Sequence, residues 1–333
     1  MKAMIIRQAG EPAVFEAADI PLPEVGPGQV LVKVAATSVN PVDWKIRKLG
    51  PPIGPDYPGV LHGDVAGVVE AVGGDAGNLS VGDEVYGCAG GVNGTGGALA
   101  EFMACDAAFL ALKPKNLSMA EAAALPLVCL TAWEGLVDGA NVGWGQTVLV
   151  HAGAGGVGHV AIQIAIARGA KVFATVSGPE KAALVTEFGA VPINYREQSV
   201  ADYVAAHTDG AGFDIVYDTV GGDNIPKSWE AAKLRGTVIS CQSNSTQDLT
   251  PVHLKGLQHI GVLMLLPLLH GTGGSRHGEI MGEITALAEA GKMRPLLDGE
   301  PFPLAEVAAA HARLESGRAV GKVVVQVADM VSG

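Results

Sequence analysis

Gly153, Gly155 and Gly158 fall in G-x-G-x-x-G order within "VLVHAGAGGVGHVAIQIAIARGAKVF", residues 148–173. A β-branched run precedes them and a helix-period apolar run follows, the setting in which this spacing cradles a phosphate. The first glycine permits a tight turn, the second lets backbone amides approach a pyrophosphate, and the third allows close packing of helix on sheet. Gly153, Ala154, Gly155, Gly156, Val157 and Gly158 are therefore expected to bind a dinucleotide. The helix that they open faces the phosphates with unpaired N–H groups and the positive end of its dipole.

The choice of dinucleotide is written about 20 residues further on, where proteins for NAD place an acidic group on the ribose hydroxyls. Here the next strand ends "FATVSGPEK", and Ser177 stands at that position. Nothing there repels a 2′-phosphate, and Lys181 can neutralise one. Tyr195 or Arg196, after the following strand, can add a hydroxyl or a guanidinium. NADPH is the expected cofactor. Glu180 lies in the same turn and can take the hydroxyl role if it points inward; it is expected to point outward. His151 and His159 flank the glycine loop and read as packing or capping groups. Cys88, Cys105, Cys129 and Cys241 form no CxxC pair, which leaves four small buried hydrophobes in a reducing compartment.

The glycine loop needs a strand before it and a helix after it, and the chain supplies a series of both. From Met1 to about Ser118, short β-like runs such as "QVLVKVAATS" and "VAGVVEAVG" alternate with glycine- and proline-rich turns. They read as a mostly antiparallel, β-barrel-like domain. In "SMAEAAAL" the period changes: Ser118 and Glu121 form a capping box, opening a helix that Pro126 closes or bends. A second helix, "LTAWEGLVDGA", runs to Gly139. The strands "QTVLVHAG", "AKVFATV", "VPINY", "FDIVYDTV" and "GTVISC" then alternate with single helices, and the run at 260–266 is expected to add a sixth strand. Such crossovers build a doubly wound parallel Rossmann sheet, so the expected fold class is α/β. The final "GKVVVQV" is expected to return to the first domain. The domains expected are 1–122 with 268–333, and 123–267 for the dinucleotide.

A chain of 333 residues suffices for two such domains. A net charge of −12 without any basic run argues against nucleic acid as a partner. The longest apolar run, "IGVLMLLPLL" at 260–269, is roughly half of what a bilayer span needs, so no membrane association is expected. "MKAMIIRQAGEPAVFE" reaches a charge and a proline too early for a signal peptide, and a soluble cytoplasmic protein is expected.

With these elements in place the chain resembles the medium-chain dehydrogenase/reductase superfamily, in its zinc-free quinone oxidoreductase branch, which includes zeta-crystallin-like enzymes. The resemblance covers nearly all of the chain. It is carried by "PGQVLVKVAATSVNPVDWKIR" (27–47), "GDVAGVVEAVG" (63–73), "VGDEVYG" (81–87), "AALPLVCLTAWEGL" (123–136), the glycine loop, "FDIVYDTVGG" (213–222) and "AHARLESGRAVGKVVV" (310–325). It implies a GroES-like first domain that is catalytic and a homodimer paired through an edge of the nucleotide sheet, near 260–266. The superfamily's zinc-dependent members hold zinc with a cysteine, a histidine and a cysteine or aspartate, and these positions fall here on Asn40, Gly63 and Leu127. His62 and Cys129 are the nearest soft groups, each out of register, so no metal is expected.

Without a Lewis acid an alkoxide is hard to form, whereas hydride transfer to a conjugated acceptor spreads the developing charge by itself. The resemblance thus implies an NADPH-dependent, metal-free reductase of quinones or α,β-unsaturated carbonyls. It sets Asn40 where the substrate cleft meets the nicotinamide, with an amide that can donate to a carbonyl, and Thr131 beside the nicotinamide ring. Asp43 is expected to orient the loop. Tyr57 is a candidate proton source, as is water, and His62 is an acid matched to neutral pH if it faces the cleft. The glycine-rich stretches 88–100 and 265–279 are candidate rims, the first with too many glycines to be rigid. Two other readings stay open: a zinc-dependent alcohol dehydrogenase with displaced ligands, and a non-catalytic NADPH-binding redox sensor.

Overall fold

A computed structural model describes residues 1–50 and 53–328; residues 329–333 of the expected first domain lie outside the described residues. The chain divides into two compact units, Met1–Leu130 with Leu265–Gly333, and Thr131–Met264.

The first unit opens with a two-stranded antiparallel ribbon, β1 (Lys2–Ile5) and β2 (Glu16–Asp19). Its main sheet begins with β3 (Gln29–Val39), β4 (Asp64–Val72), β5 (Glu84–Cys88), β6 (Phe102–Asp106) and β7 (Leu110–Leu112). β3 reads "QVLVKVAATSV" and is buried almost throughout, as a strand covered on both faces must be. β4 pairs with it antiparallel and shifts register between Leu31 and Val32 and between Val34 and Ala36, irregularities of the kind that bend a sheet.

In the second unit β8 (Thr147–Val150), β9 (Lys171–Val176), β10 (Val191–Asn194), β11 (Phe213–Asp218), β12 (Ala232–Ser240) and β13 (Gln258–Gly261) form one parallel sheet. Their order is β10-β9-β8-β11-β12-β13. In chain order within the sheet this is 3-2-1-4-5-6, the doubly wound arrangement, with its reversal between β8 and β11. One face packs Leu149, Phe173, Phe213, Val216 and Val238 against Tyr203 and Trp229.

The chain then re-enters the first unit with β14 (Phe302–Pro303) and β15 (Val323–Gln326). β15 pairs antiparallel with β3, Val323 opposite Val39.

Several expectations shift by a turn or two. The capping box holds: the Glu121 N–H donates to Ser118 Oγ at 3.3 Å, and the Ser118 N–H to Glu121 Oε2 at 2.8 Å. That helix ends at Ala123, and Pro126 opens the next, Pro126–Trp133, which widens into a π-helix over Glu134–Gly139. The helix Met119–Ala123 packs on β3 and β4, and the Leu127 N–H donates to Asp64 Oδ1 at 2.8 Å, which keeps both segments with the first unit. The units therefore part at 130/131, not 122/123. The apolar run at 260–266 is not one strand. β13 stops at Gly261, Met264 and Leu265 turn into the core, and a short helix, Leu266–His270, follows.

Of the glycines in 88–100, Gly90, Gly91 and Gly97 serve close packing, while Gly94 and Gly96 are uncrowded. A Cβ at Gly97 would lie 2.1 Å from the Leu61 carbonyl oxygen, and one at Gly91 2.8 Å from the His62 carbonyl carbon, with only 93–96 exposed. Among the described residues no helix is long and apolar enough to cross a membrane.

Candidate cofactor and active site

The phosphate turn forms because β8 runs straight into it. Ala152 takes a left-handed φ of 52°, and its N–H donates to Thr175 Oγ1 at 3.0 Å. The Gly153 N–H donates to the Thr175 carbonyl at 3.0 Å, which ties the turn to β9. The left-handed residue is thus Ala152, and Gly153 is required by contact: a Cβ on it would lie 2.6 Å from that of Ala174. At Gly158 a Cβ would come within 2.2 Å of the Ala152 carbonyl oxygen. Gly155 differs, since its Cβ would meet nothing closer than that oxygen at 3.1 Å. It caps the helix Gly156–Ala167, and Gly155, Gly156 and Val157 keep partial exposure while Ala154 and Gly158 are buried. This leaves first-turn backbone amides facing an approachable space, as a pyrophosphate needs.

Beside the turn lies a cavity of about 780 Å³ whose walls follow the carboxyl ends of β8 to β11: His151, Thr175, Tyr195, Val220, Gly221 and Lys227. It sits at the reversal of strand order, where open α/β sheets bind their ligands. Tyr195 is exposed, Ser177 and Lys181 are partly exposed in the turn after β9, and Glu180 is exposed. His151 is buried, its Nδ1 3.3 Å from Thr175 Oγ1, and among the described residues its Nε2 has no hydrogen-bond partner. Burial lowers its pKa to about 4, against the pull of Asp218, so the ring is neutral at physiological pH. His159 packs within its helix, Nδ1 3.0 Å from the Gly155 carbonyl oxygen. Thr131 is buried, and its carbonyl accepts from Tyr217 Oη at 2.7 Å.

The first-unit candidates gather on β3, β4 and the helix Pro41–Leu49. Asn40 has no exposed surface. Its Nδ2 donates to Asp64 Oδ2 at 2.7 Å and its Oδ1 accepts from Lys322, so the amide is committed inside the protein rather than offered to a carbonyl. The Asn40 N–H donates to Asp43 Oδ2 at 2.7 Å, the loop-orienting role expected of that carboxyl. Burial pushes the Asp43 carboxyl up to about 7, with the nearby Asp64 charge raising it further and the Asn40 hydrogen bond and Lys322 opposing. Tyr57 is 38% exposed.

His62 does not face outward. It is fully buried, with φ at 77°, and its Nε2 lies 2.9 Å from that of His311. The tautomers follow from the ends of the chain. Arg47 Nε donates to His311 Nδ1 at 3.3 Å, so the His311 proton sits on Nε2 and points at His62. The His62 proton is then on Nδ1, 3.3 Å from Thr37 Oγ1, whose hydroxyl donates to the Asp64 carbonyl at 2.6 Å. Burial pulls the His62 pKa well below its ordinary value, and burial with Arg47 takes that of His311 to about 3. His62 is a neutral structural link, not an acid for neutral pH.

Lys322 and His311 were missed as partners of this cluster. The only signal for either was the stretch 310–325, which contains both.

Two family models match: "Alcohol dehydrogenase GroES-like domain" over residues 26–115 and "Zinc-binding dehydrogenase" over 188–325. A 2-methylene-furan-3-one reductase of Solanum lycopersicum is 37% identical over 92% of this chain and 74% of its own length. The chloroplastic NADPH-dependent alkenal/one oxidoreductase of Arabidopsis thaliana is 36% identical, over 98% of this chain and 79% of its own. A quinone oxidoreductase of Pongo abelii is 32% identical, over 97% of each. Among solved structures, an alcohol dehydrogenase superfamily protein from Novosphingobium aromaticivorans has a TM-score of 0.94 at 43% identity, over 98% of this chain and 100% of that one.

Proposed function

Because the chain belongs to the medium-chain dehydrogenase/reductase superfamily, in the branch that holds the quinone oxidoreductases, we propose that it is an NADPH-dependent, metal-free reductase of quinones or α,β-unsaturated carbonyls. The observation that carries this reading is the phosphate turn, whose Ala152 lines the cavity at the reversal of the sheet with His151 and Thr175, together with Ser177 and Lys181 in the turn after β9. When bound, NADPH supplies the hydride. The first-turn amides of Gly156 and Val157 would bind its pyrophosphate, and Ser177, Lys181 and Tyr195 would receive the 2′-phosphate with no carboxylate at the Ser177 position to repel it. Neutral His151 adds no charge to the cavity wall, and Thr131, set beside the nicotinamide by the resemblance, would help to fix that ring. Conjugation in the acceptor carries the developing negative charge, and the protein supplies orientation and a dry site.

A catalytic zinc does not fit the residues present. The three zinc-ligand positions hold Asn40, whose amide is committed within the cluster, Gly63, which has no side chain, and Leu127, whose N–H is a donor.

A homodimer is part of the proposal. Among the described residues β13 ends the sheet with an unpaired edge, and Leu254 and Leu263 beside it are 74% and 50% exposed. Cys88, Cys105 and Cys129 are buried as thiols, in keeping with a reducing setting.

The decisive experiment follows NADPH absorbance with a panel of ortho- and para-quinones, alkenals and 2-enones. Turnover of at least one class is expected. Tight NADPH binding with no turnover across the panel overturns the reading in favour of a sensor, and alcohol oxidation lost on chelation overturns it in favour of a zinc enzyme.

A further inference from the structure

Asp64 has no exposed surface, and four donors converge on its carboxylate. The Ser38 hydroxyl, the Asn40 amide and the Lys322 ammonium meet Oδ2 at 2.6, 2.7 and 3.5 Å, and the Leu127 N–H meets Oδ1 at 2.8 Å. Lys322 is 3% exposed. Its ammonium is shared among Asn40 Oδ1, the Val39 carbonyl at 3.3 Å and Asp64, which fills its donor capacity. Cys88 and Cys129 are buried close by, and burial with the Asp64 charge pushes both thiols up, so neither is a thiolate.

We infer that the Lys322 ammonium is the resident cation of the first unit, bound at Asn40, the first of the three positions at which the resemblance sets a zinc ligand. The inference rests on the metal-free reading above and adds what replaces the metal. Asn40, at the first ligand position, gives its oxygen to the ammonium. Gly63, at the second, has no room for a side chain: a Cβ there would lie 2.9 Å from Cys88 Sγ and 2.9 Å from the Gly90 carbonyl oxygen. Asp64, the one carboxylate of the cluster that meets the ammonium, already has its oxygens filled. A divalent ion would have to displace or face a buried ammonium, and displacing it would strand Asn40 Oδ1 and the Val39 carbonyl. Among the described residues no group of three or more His, Cys, Asp or Glu side chains is arranged to hold a metal ion.

The test uses the full chain with Lys322→Met, Asp64→Asn and the double variant. Removing one member of a buried pair leaves the other charged and uncompensated, whereas removing both does not. Each single variant is expected to lower the melting temperature, and the double variant to recover most of the loss. If a single variant does not fold, a folded double variant carries the same result. The parent, dialysed against zinc and then against zinc-free buffer, is expected to keep less than about a tenth of a zinc per chain. A double variant no more stable than the singles, with no zinc in the parent, overturns the inference and leaves the metal-free reading standing. About one zinc per chain, retained by the parent and lost in Asp64→Asn, overturns both.

Discussion

At the scale of single residues, Asp43 and the two buried histidines make opposite demands on pH. The Asp43 carboxyl rises in the folded state from 3.8 to about 7, so the folded protein holds this proton where the unfolded chain has released it. Its contribution therefore falls as pH climbs from about 4 to about 7, by at most about 4 kcal/mol. His62 and His311 are held neutral, and theirs falls as pH drops below about 6.5. The difference between the parent and Asp43→Asn isolates the first effect: urea midpoints measured across this window should decline less with rising pH in the variant. An identical slope would show that Asp43 does not carry the proton. Ser177→Asp belongs to the same scale. A carboxylate against a 2′-phosphate should weaken NADPH binding at least about tenfold, roughly 1.4 kcal/mol, in a fluorescence titration, with NADH much less affected. An unchanged preference would mean that the phosphate sits elsewhere.

At the scale of elements, the glycine turn was legible because the physics that selects glycine is local: strand, turn and helix all lie within a few residues. The separate duties of its glycines were not, since the nearness of Ala174 to Gly153 depends on β9 lying alongside. The same holds for 260–266, where a short apolar run marks burial equally in strand or helix, and only the packing of Met264 and Leu265 decides. The cluster around Asp64 was hidden for a stronger reason. Lys322 stands 258 residues from its carboxylate, and no periodicity connects them. Gly158→Val tests the turn. With a Cβ 2.2 Å from a backbone oxygen that cannot swing away, the variant should lose about 1–3 kcal/mol in denaturant unfolding and bind NADPH poorly. Unchanged stability would mean that the turn yields more easily than its packing implies.

At the scale of the whole molecule, composition and the alternation of strands and helices gave the α/β class and the discontinuous first unit, while the quaternary state depends on a surface that the pattern does not describe. Leu263→Glu, beside the free edge of β13, should convert a dimer to monomer by light scattering without lowering NADPH affinity. A dimer of unchanged mass would move the interface elsewhere.

β15 also sets a timetable. The strands β8 to β13 are contiguous in the chain and close their sheet without help from later residues, whereas β3 pairs with a strand that the ribosome makes only after all of them. The nucleotide unit can mature while synthesis continues, but the first unit must wait, its Asp64 carboxylate without an ammonium until Lys322 emerges. Pulse-labelled hydrogen exchange during refolding should accordingly protect the β8 and β11 amides before those of Ala36–Val39, the part of β3 that pairs with β15, since the long loop closure is the slower event. Of the two units, the one begun earlier is the last to be finished.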